Sequence, residues 1–274
     1  MSSPTDTYLS IILSRPLDQV WNIFLLGLAR IVPIIAIAPF YGGKMIGDVV
    51  KIGLGVFITL VFLPFLILTN PASFSRDCHF LLLMIKEVMI GALMGFFIAI
   101  PFYYAQGAGA LIDHQRGSQS LQIMDPTSQT QTSPIGKLYN DMLLVLFFAI
   151  GGPILFFDGL FTSFSLIPFN AFFPPHFFDI QHPFWITMTG VITTVVKIGL
   201  QLSAPSLIGM LLSDLFLGIA NRMAPQVQIS FLLWSFKAFI GVAMLFLAWW
   251  LVIKQFDIQT TNWLKIYSNF VKEI

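Results

Sequence analysis

Six stretches of this chain are each long and apolar enough to cross a lipid bilayer, and that constrains its fold more than any motif does. They run over about 17–40, 45–69, 79–105, 138–168, 184–220 and 229–253. A helical span needs about 20 apolar residues, and in hydrocarbon the backbone must satisfy its own hydrogen bonds. The remaining residues are too few to clothe a globular surface. Only 10% of the 274 residues are charged and 57% are hydrophobic, whereas a soluble domain carries about 25% charge. The expected fold class is an all-α membrane protein, with residues 1–274 forming one integral-membrane domain and the segments paired as helical hairpins. Net charge is +1, so no overall field points to nucleic acid. The single cysteine, Cys78, excludes an intrachain disulfide and a cysteine-held metal.

The short links at 41–44, 70–78 and 221–228 carry the turn formers Gly42-Gly43, Asn70-Pro71 and Ala224-Pro225. Two links are longer. Residues 106–137 read as a central polar loop. Residues 169–183 place Pro174-Pro175 and His182-Pro183 among aromatics, as an interfacial loop would. Gly151-Gly152-Pro153 predicts a break in the fourth segment. The fifth segment exceeds one crossing and contains Pro205, so two half-helices or a bent hairpin are expected there. Pro33, Pro64 and Pro101 also lie within apolar runs. Broken helices at membrane depth persist only where protein satisfies the freed backbone groups, which favours packing inside an assembly. Residues 1–16 lack the pattern of a cleavable signal peptide. Lys254, Lys265 and Lys272 outweigh Asp257 and Glu273, which puts the C-terminal tail in the cytoplasm.

Every apolar segment holds ionisable residues: Arg30; Asp48 and Lys51; Lys86 and Glu87; Asp141 and Asp158; Lys197 and Asp214; Lys237. A charge at the bilayer centre costs roughly 2.5–3.5 kcal/mol, so these side chains are expected to face protein or water. Asp48 and Lys51 are spaced to pair on one helix face. Asp214 and Lys237 are expected to pair across the turn between the last two segments. Lys86 and Glu87 are neighbours, so they point about 100° apart and need other partners. The deep charges are mixed in sign and no histidine lies deep, so they read as glue between helices and subunits rather than a proton relay. Gly91 and Gly95 form a G-x-x-x-G, with the spacing continued by Ala105 and Gly109, which suits close helix packing.

The stretch after Pro101 begins apolar and small, then becomes polar without becoming highly charged. Gly107, Gly109 and Gly117 give it backbone freedom, and Asp113 and Arg116 are spaced to pair. A loop of this length between spans is often functional and suits lining or blocking a path through the membrane. Four blocks then follow one another in order. KEVMIGALMGF holds Glu87, Gly91 and Gly95. AQGAGALIDHQRG holds Gln106, Gly109, Asp113, Arg116 and Gly117, and Asp125-Pro126 follows it. Gly151-Gly152 comes after an aromatic-rich helix, and NRMAPQVQISFLLWSFKAFIG holds Arg222, Pro225, Gln226 and Lys237.

With these blocks in this order, the chain resembles the export-apparatus subunits of flagellar and virulence-associated type III secretion systems, the FliR and SctT family. The injectisome SctT branch is favoured, although Gln228 stands where asparagine is expected and the loop is extended at Gln129–Gln131. The resemblance implies a non-enzymatic, multi-pass inner-membrane subunit of a hetero-oligomeric export gate, without a cofactor. Implied partners are small SctR/FliP-like and SctS/FliQ-like membrane subunits, a SctU/FlhB-like switch protein and a SctV/FlhA-like export component. The implied cargo is unfolded secreted protein. By position, Gln106, Gly107, Gly109, Asp113, Arg116 and Gly117 fall on the pore or plug loop. Glu87, Gly91, Gly95, Asp214, Arg222 and Lys237 are assigned to packing or ion pairing.

Catalytic patterns are not legible. Gly42-Gly43-Lys44 lacks the upstream glycine and the following Ser or Thr of a P-loop. His176, Asp179 and His182 are loosely spaced for a metal, and Asp113-His114 has no supported nucleophile. The broken spans and intramembrane charges leave a secondary transporter or ion channel for a small solute as the alternative, though no duplicated halves are visible.

Overall fold

The apolar runs become helix almost throughout, and no strand occurs among the described residues. The structure is a computed structural model and describes residues 4–43, 46–70, 78–117, 133–172, 179, 181, 183–223 and 229–273. In chain order the helices are α1 (Pro4–Leu13), α2 (Leu17–Ile37), α3 (Asp48–Thr69), α4 (Cys78–Gln115), α5 (Pro134–Ala149), α6 (Gly152–Leu166), α7 (Pro183–Met223), α8 (Ile229–Leu247) and α9 (Trp249–Glu273). A 3-10 turn, Pro39–Tyr41, follows α2. Helices α2, α3, α4 and α7 are each long and apolar enough to cross a membrane. The pairs α5–α6 and α8–α9 pass the same test as bent spans, giving up to six crossings that match the six apolar segments.

Three boundaries differ from the sequence reading. Residues 106–115 are not loop but the continuation of α4, and α5 begins at Pro134, so the central loop is shorter than 106–137. The apolar spacing of Tyr104, Ala105, Ala108 and Ile112, all buried, carries the helix onward past Gln106. The fifth segment is one helix of 41 residues that runs through Pro205. In hydrocarbon the lost bond at a proline costs less than unwinding a turn whose groups would find no water. The sixth segment breaks at Ala248, where α8 and α9 diverge by 61°. The break in the fourth segment falls at Ile150-Gly151. Gly151 has φ 74°, a left-handed conformation that glycine adopts without strain. Pro71, Pro174, Pro175, His176, His182, the loop residues 118–132 and the 224–228 link lie outside the described residues.

The chain divides into two compact units. The first comprises Met1–Ala99, Pro153–Thr187 and Leu264–Ile274. In it α2 buries Ile23, Leu26, Ile31 and Ile34 at helical spacing, with Leu63 and Leu66 of α3, Ile90, Met94 and Phe97 of α4, and Phe156, Leu160 and Phe164 of α6 also in the core. Close approach of α2 and α3 depends on Gly27 and Gly55. A Cβ on Gly27 would lie 2.7 Å from Leu66 Cδ1, and one on Gly55 would lie 2.8 Å from Val32 Cγ2. The second unit comprises Ile100–Gly152 and Met188–Trp263. Its core takes Tyr104 and Ile112 from α4, Tyr139, Leu143 and Phe147 from α5, Leu202 and Met210 from α7, and Phe256 from α9. Edge-to-face ring pairs, Phe102–Phe147 at 5.7 Å and Tyr139–Phe256 at 5.3 Å, fix its packing.

Candidate functional site

The first unit holds a buried ionic cluster that the sequence shows only as scattered charges. Arg30 of α2 and Glu87 of α4 are both 0% exposed, and Lys86 is 4% exposed. Arg30 Nε donates to Glu87 Oε2 at 2.5 Å. Lys86 Nζ lies 2.8 Å from Glu87 Oε1 as an ion pair, while its hydrogen bonds go elsewhere. Two cations thus share one carboxylate. The surplus positive charge is spread over backbone carbonyls and aromatic faces, because the Arg30 guanidinium sits 4.3 Å from the Phe164 ring centroid.

Those carbonyls explain the arrangement. Helix α6 ends at Leu166, one residue ahead of Ile167-Pro168, and Pro168 cannot continue it. The chain from Ile167 to Ala171 therefore leaves carbonyls without helical partners, and Ile167 and Phe169 are buried. Arg30 Nη2 donates to Ile167 O at 2.8 Å. Lys86 Nζ donates to the carbonyls of Pro168 and Phe169, each at 3.1 Å, and of Ala171 at 2.8 Å. Asn70, at the C-cap of α3, accepts from Phe169 N at 2.8 Å through Oδ1. Arg30 Nη1 also donates to Ser163 Oγ at 3.2 Å. Side chains from α2, α4 and the C-cap of α3 thus hold one non-helical stretch of backbone. The sequence marked Lys86 and Glu87 as needing partners, but it could not supply the partners, because Arg30 is 57 residues from Glu87. Asn70 was read only as a turn former, and its role depends entirely on the chain brought against it.

Gly91 and Gly95 lie on the same face of α4 as Glu87 and meet α2. A Cβ on Gly91 would stand 2.2 Å from Arg30 O, and one on Gly95 would stand 3.0 Å from Ile34 Cα. The glycines let the two backbones come close enough for Arg30 and Glu87 to bond directly.

In the second unit, the residues assigned by resemblance to a plug form a bracket where α4 meets α5. Asp113 is 4% exposed. Its Oδ2 accepts from Ile135 N at 2.8 Å, and Arg116 Nη2 donates to its Oδ1. Ser133, the N-cap of α5, accepts from Gly136 N at 2.8 Å, and Pro134 occupies the first turn. A carboxylate at this end of α5 satisfies free N–H groups and faces the positive end of the helix dipole. Gly109 brings the backbones together, since its Cβ would lie 2.4 Å from Gly136 N. Gly117, with φ 78°, ends α4, and its N–H bonds His114 O at 3.1 Å. Gln106 lies on α4 and is half-buried, and Gly107 is exposed with no atom near enough to contact an added Cβ. Asp113→Ala is expected to cost about 1–2 kcal/mol of stability through loss of the cap, and Asp113→Asn less, because Asn keeps an acceptor oxygen. Thermal unfolding in detergent checks this. An unchanged midpoint for Asp113→Ala would show that the cap holds nothing.

Also in the second unit, Lys237 Nζ of α8 lies 2.7 Å from Asp214 Oδ2 of α7. The two helices approach through Gly209 and Gly241, whose added Cβ atoms would meet Met244 and Met210. Lys237→Ala is expected to lower recovery of the assembled protein, and the exchange Asp214→Lys with Lys237→Asp to restore it. Full assembly and secretion with Lys237→Ala alone would remove the pair from the account. Arg222 lies exposed in the last turn of α7, where a cation favours the helix dipole. Asp48 and Lys51 make no ion pair with each other among the described residues, although the sequence spacing allows one. Asp48 is exposed and Lys51 half-buried, and a pair open to solvent on one side gains little by closing. Of the loose set His176, Asp179 and His182, only Asp179 lies within the described residues.

Residues 21–262 match a family described as bacterial export proteins, family 1. The chain is similar to the flagellar biosynthetic protein FliR of Bacillus subtilis (strain 168), with 30% identity over 75% of this chain and 78% of the relative. It is 28% identical to the Yop proteins translocation protein T of Yersinia pestis over 80% of this chain and 82% of that protein. It is 25% identical to the surface presentation of antigens protein SpaR of Shigella flexneri, over 80% and 81%.

Proposed function

This chain belongs to family 1 of the bacterial export proteins, and from that premise we propose that it is a subunit of the inner-membrane export gate of a type III protein secretion system. It is a multi-pass membrane component of a protein-export apparatus and not an enzyme. Within the gate it contributes part of the channel for unfolded proteins, beside SctR/FliP-like and SctS/FliQ-like small subunits, a SctU/FlhB-like switch protein and a SctV/FlhA-like export component. The family match over residues 21–262 carries this reading. The flagellar and the Yop relatives match at 30% and 28% identity, which weighs the two branches alike.

The geometry supports a scaffold rather than a solute relay. The deepest charges, Arg30, Lys86 and Glu87, are committed to one another and to backbone carbonyls, so they hold structure instead of passing protons. The central loop helps to close the pore in this reading. Its flanks are held together through Asp113 and Gly109 at the start of α5, which fixes where the loop leaves and rejoins the helices. The test replaces residues 119–131 with a short Gly-Ser link in the full chain. The expected result is an assembled complex that leaks ions and small molecules; unchanged conductance in an assembled complex would contradict the plug role. Deleting 107–117 would be a poor substitute, because it removes the last turns of helix α4 together with the Asp113 cap.

A further inference from the structure

The N-terminal helix α1 is fastened to α3 at one unusual point. Tyr8 Oη donates to the backbone carbonyl of Leu60 at 2.6 Å, across 52 residues of chain. Inside an α-helix each carbonyl accepts from the N–H four residues on. For Leu60 that residue is Pro64, which has no N–H. The proline ring also crowds this carbonyl, which favours a bend at that turn. Of the carbonyls along the 22 residues of α3, Tyr8 thus meets the one whose helical donor is missing. The hydroxyl beside Leu60 on α3, Thr59 Oγ1, donates to Gly55 O at 2.7 Å instead. Phe57, Leu60 and Val61 are exposed, so the outer side of this turn is apolar. A carbonyl among such side chains costs free energy unless a donor reaches it. Tyrosine suits the task, because its ring packs against apolar groups while its hydroxyl donates.

The chain path gives α1 a second attachment. Only Ser14, Arg15 and Pro16 join it to α2, which keeps the end of α1 beside the start of α2. Gly27 approaches Leu66 and Gly55 approaches Val32, so α2 and α3 run antiparallel. The start of α2 therefore lies toward the end of α3, and α1 reaches from there to Leu60. Beyond Pro64, α3 continues only to Thr69 and its C-cap Asn70. Asn70 Oδ1 accepts from Phe169 N at 2.8 Å. The bend at Pro64 therefore sets where Asn70 meets the stretch Ile167–Ala171.

We propose that Tyr8 is a positioning residue. It takes the place of the missing Pro64 N–H, clips α1 to α3, and fixes the bend that holds Asn70 against Phe169. With the clip closed, the end of α3 and the backbone it holds stay in one arrangement. With the clip open, α1 and the last turns of α3 loosen together. All these residues lie in the first unit, and the inference stands apart from the export-gate reading.

Hydrogen–deuterium exchange of the full chain, extracted in its native assembly in mild detergent, tests this. Three peptides are followed: α1, the end of α3, and residues 166–171. Amide exchange follows local opening, so the loss of one hydrogen bond should speed it about three- to tenfold. Tyr8→Phe removes only the hydroxyl and should have this effect in all three peptides. Pro64→Ala and Pro64→Ser each return an N–H to the helix. In either background Tyr8→Phe should change exchange by less than about 1.5-fold, because Leu60 O then has a donor of its own. Parent-like exchange of α1 in Tyr8→Phe would overturn the proposal. An equal effect of Tyr8→Phe with and without Pro64 would overturn it too, by making the bond an ordinary surface contact. Faster exchange confined to α1 would also overturn it, by detaching Asn70 from Tyr8.

Discussion

Glu87→Gln is expected to destabilise the chain by about 3–5 kcal/mol, the cost of removing one partner from a buried ion pair. Two cations depend on this carboxylate. Arg30 Nε contacts Oε2 at 2.5 Å, Lys86 Nζ lies 2.8 Å from Oε1, and none of the three side chains reaches solvent appreciably. Glutamine keeps the shape but leaves both positive charges facing only carbonyl dipoles and rings. A loss of that size is a large part of the stability of a typical protein, so the variant should also fail to appear in the assembled complex. Lys86→Met separates the two roles of the cluster. It leaves the Arg30–Glu87 pair intact and removes the donor to the carbonyls of Pro168, Phe169 and Ala171. Its expected cost is smaller, about 1–3 kcal/mol for the carbonyls left unmet. Thermal unfolding in detergent ranks the variants. A Glu87→Gln chain within about 1 kcal/mol of the parent would show that the cluster is not what joins α2, α4 and the end of α6.

Gly91→Ala should also be damaging, although it adds a single methyl group. The added Cβ would stand 2.2 Å from Arg30 O, 3.0 Å from its C and 3.1 Å from its Cα. All three are backbone atoms and cannot swing aside. Carbon atoms rest about 3.5–4.0 Å apart, so α2 and α4 must separate by roughly an ångström. Overpacking of this kind costs about 1–3 kcal/mol. The separation also stretches the Arg30–Glu87 contact, because Gly91 stands one turn after Glu87 on the same face. Gly91→Ala and Glu87→Gln should therefore be strongly non-additive in a double-mutant cycle. Gly53→Ala is the control, since nothing lies within 4 Å of its added Cβ. It should be neutral or stabilising by up to about 1 kcal/mol, from helix propensity alone. Equal effects at the two positions would rule out backbone contact as the reason for the G-x-x-x-G.

The apolar runs were legible because bilayer thickness imposes a length that composition must meet. The break at Gly151 was legible too, since Gly-Gly-Pro can serve few other geometries. Pro205 misled, because the same residue that ends a helix in water is tolerated where unwinding leaves more groups unmet. The break at Ala248 carries no Gly or Pro and left no local signal. The loop boundary at Gln106 was misplaced because polarity was taken for the end of the helix, while the buried spacing through Ala108 and Ile112 continued it. For the site, charge and depth in the sequence marked Arg30, Lys86 and Glu87 as unusual. Their joint hold on Ile167 to Ala171 is a tertiary fact, built from side chains more than 80 residues from the carbonyls they meet. Asp113 was placed in a loop by the polarity of 106–137 and given a plug role by resemblance; its bond to Ile135 N spans 22 residues of chain and becomes visible only in the fold.

The central claim is that the chain is a built-in subunit of an export gate. Native mass measurement of the tagged full chain, extracted from its own membrane in mild detergent, tests it most directly. The account predicts one copy of this chain in a large complex with small apolar partner subunits. A stable, solitary monomer that takes up a small solute when reconstituted would contradict it.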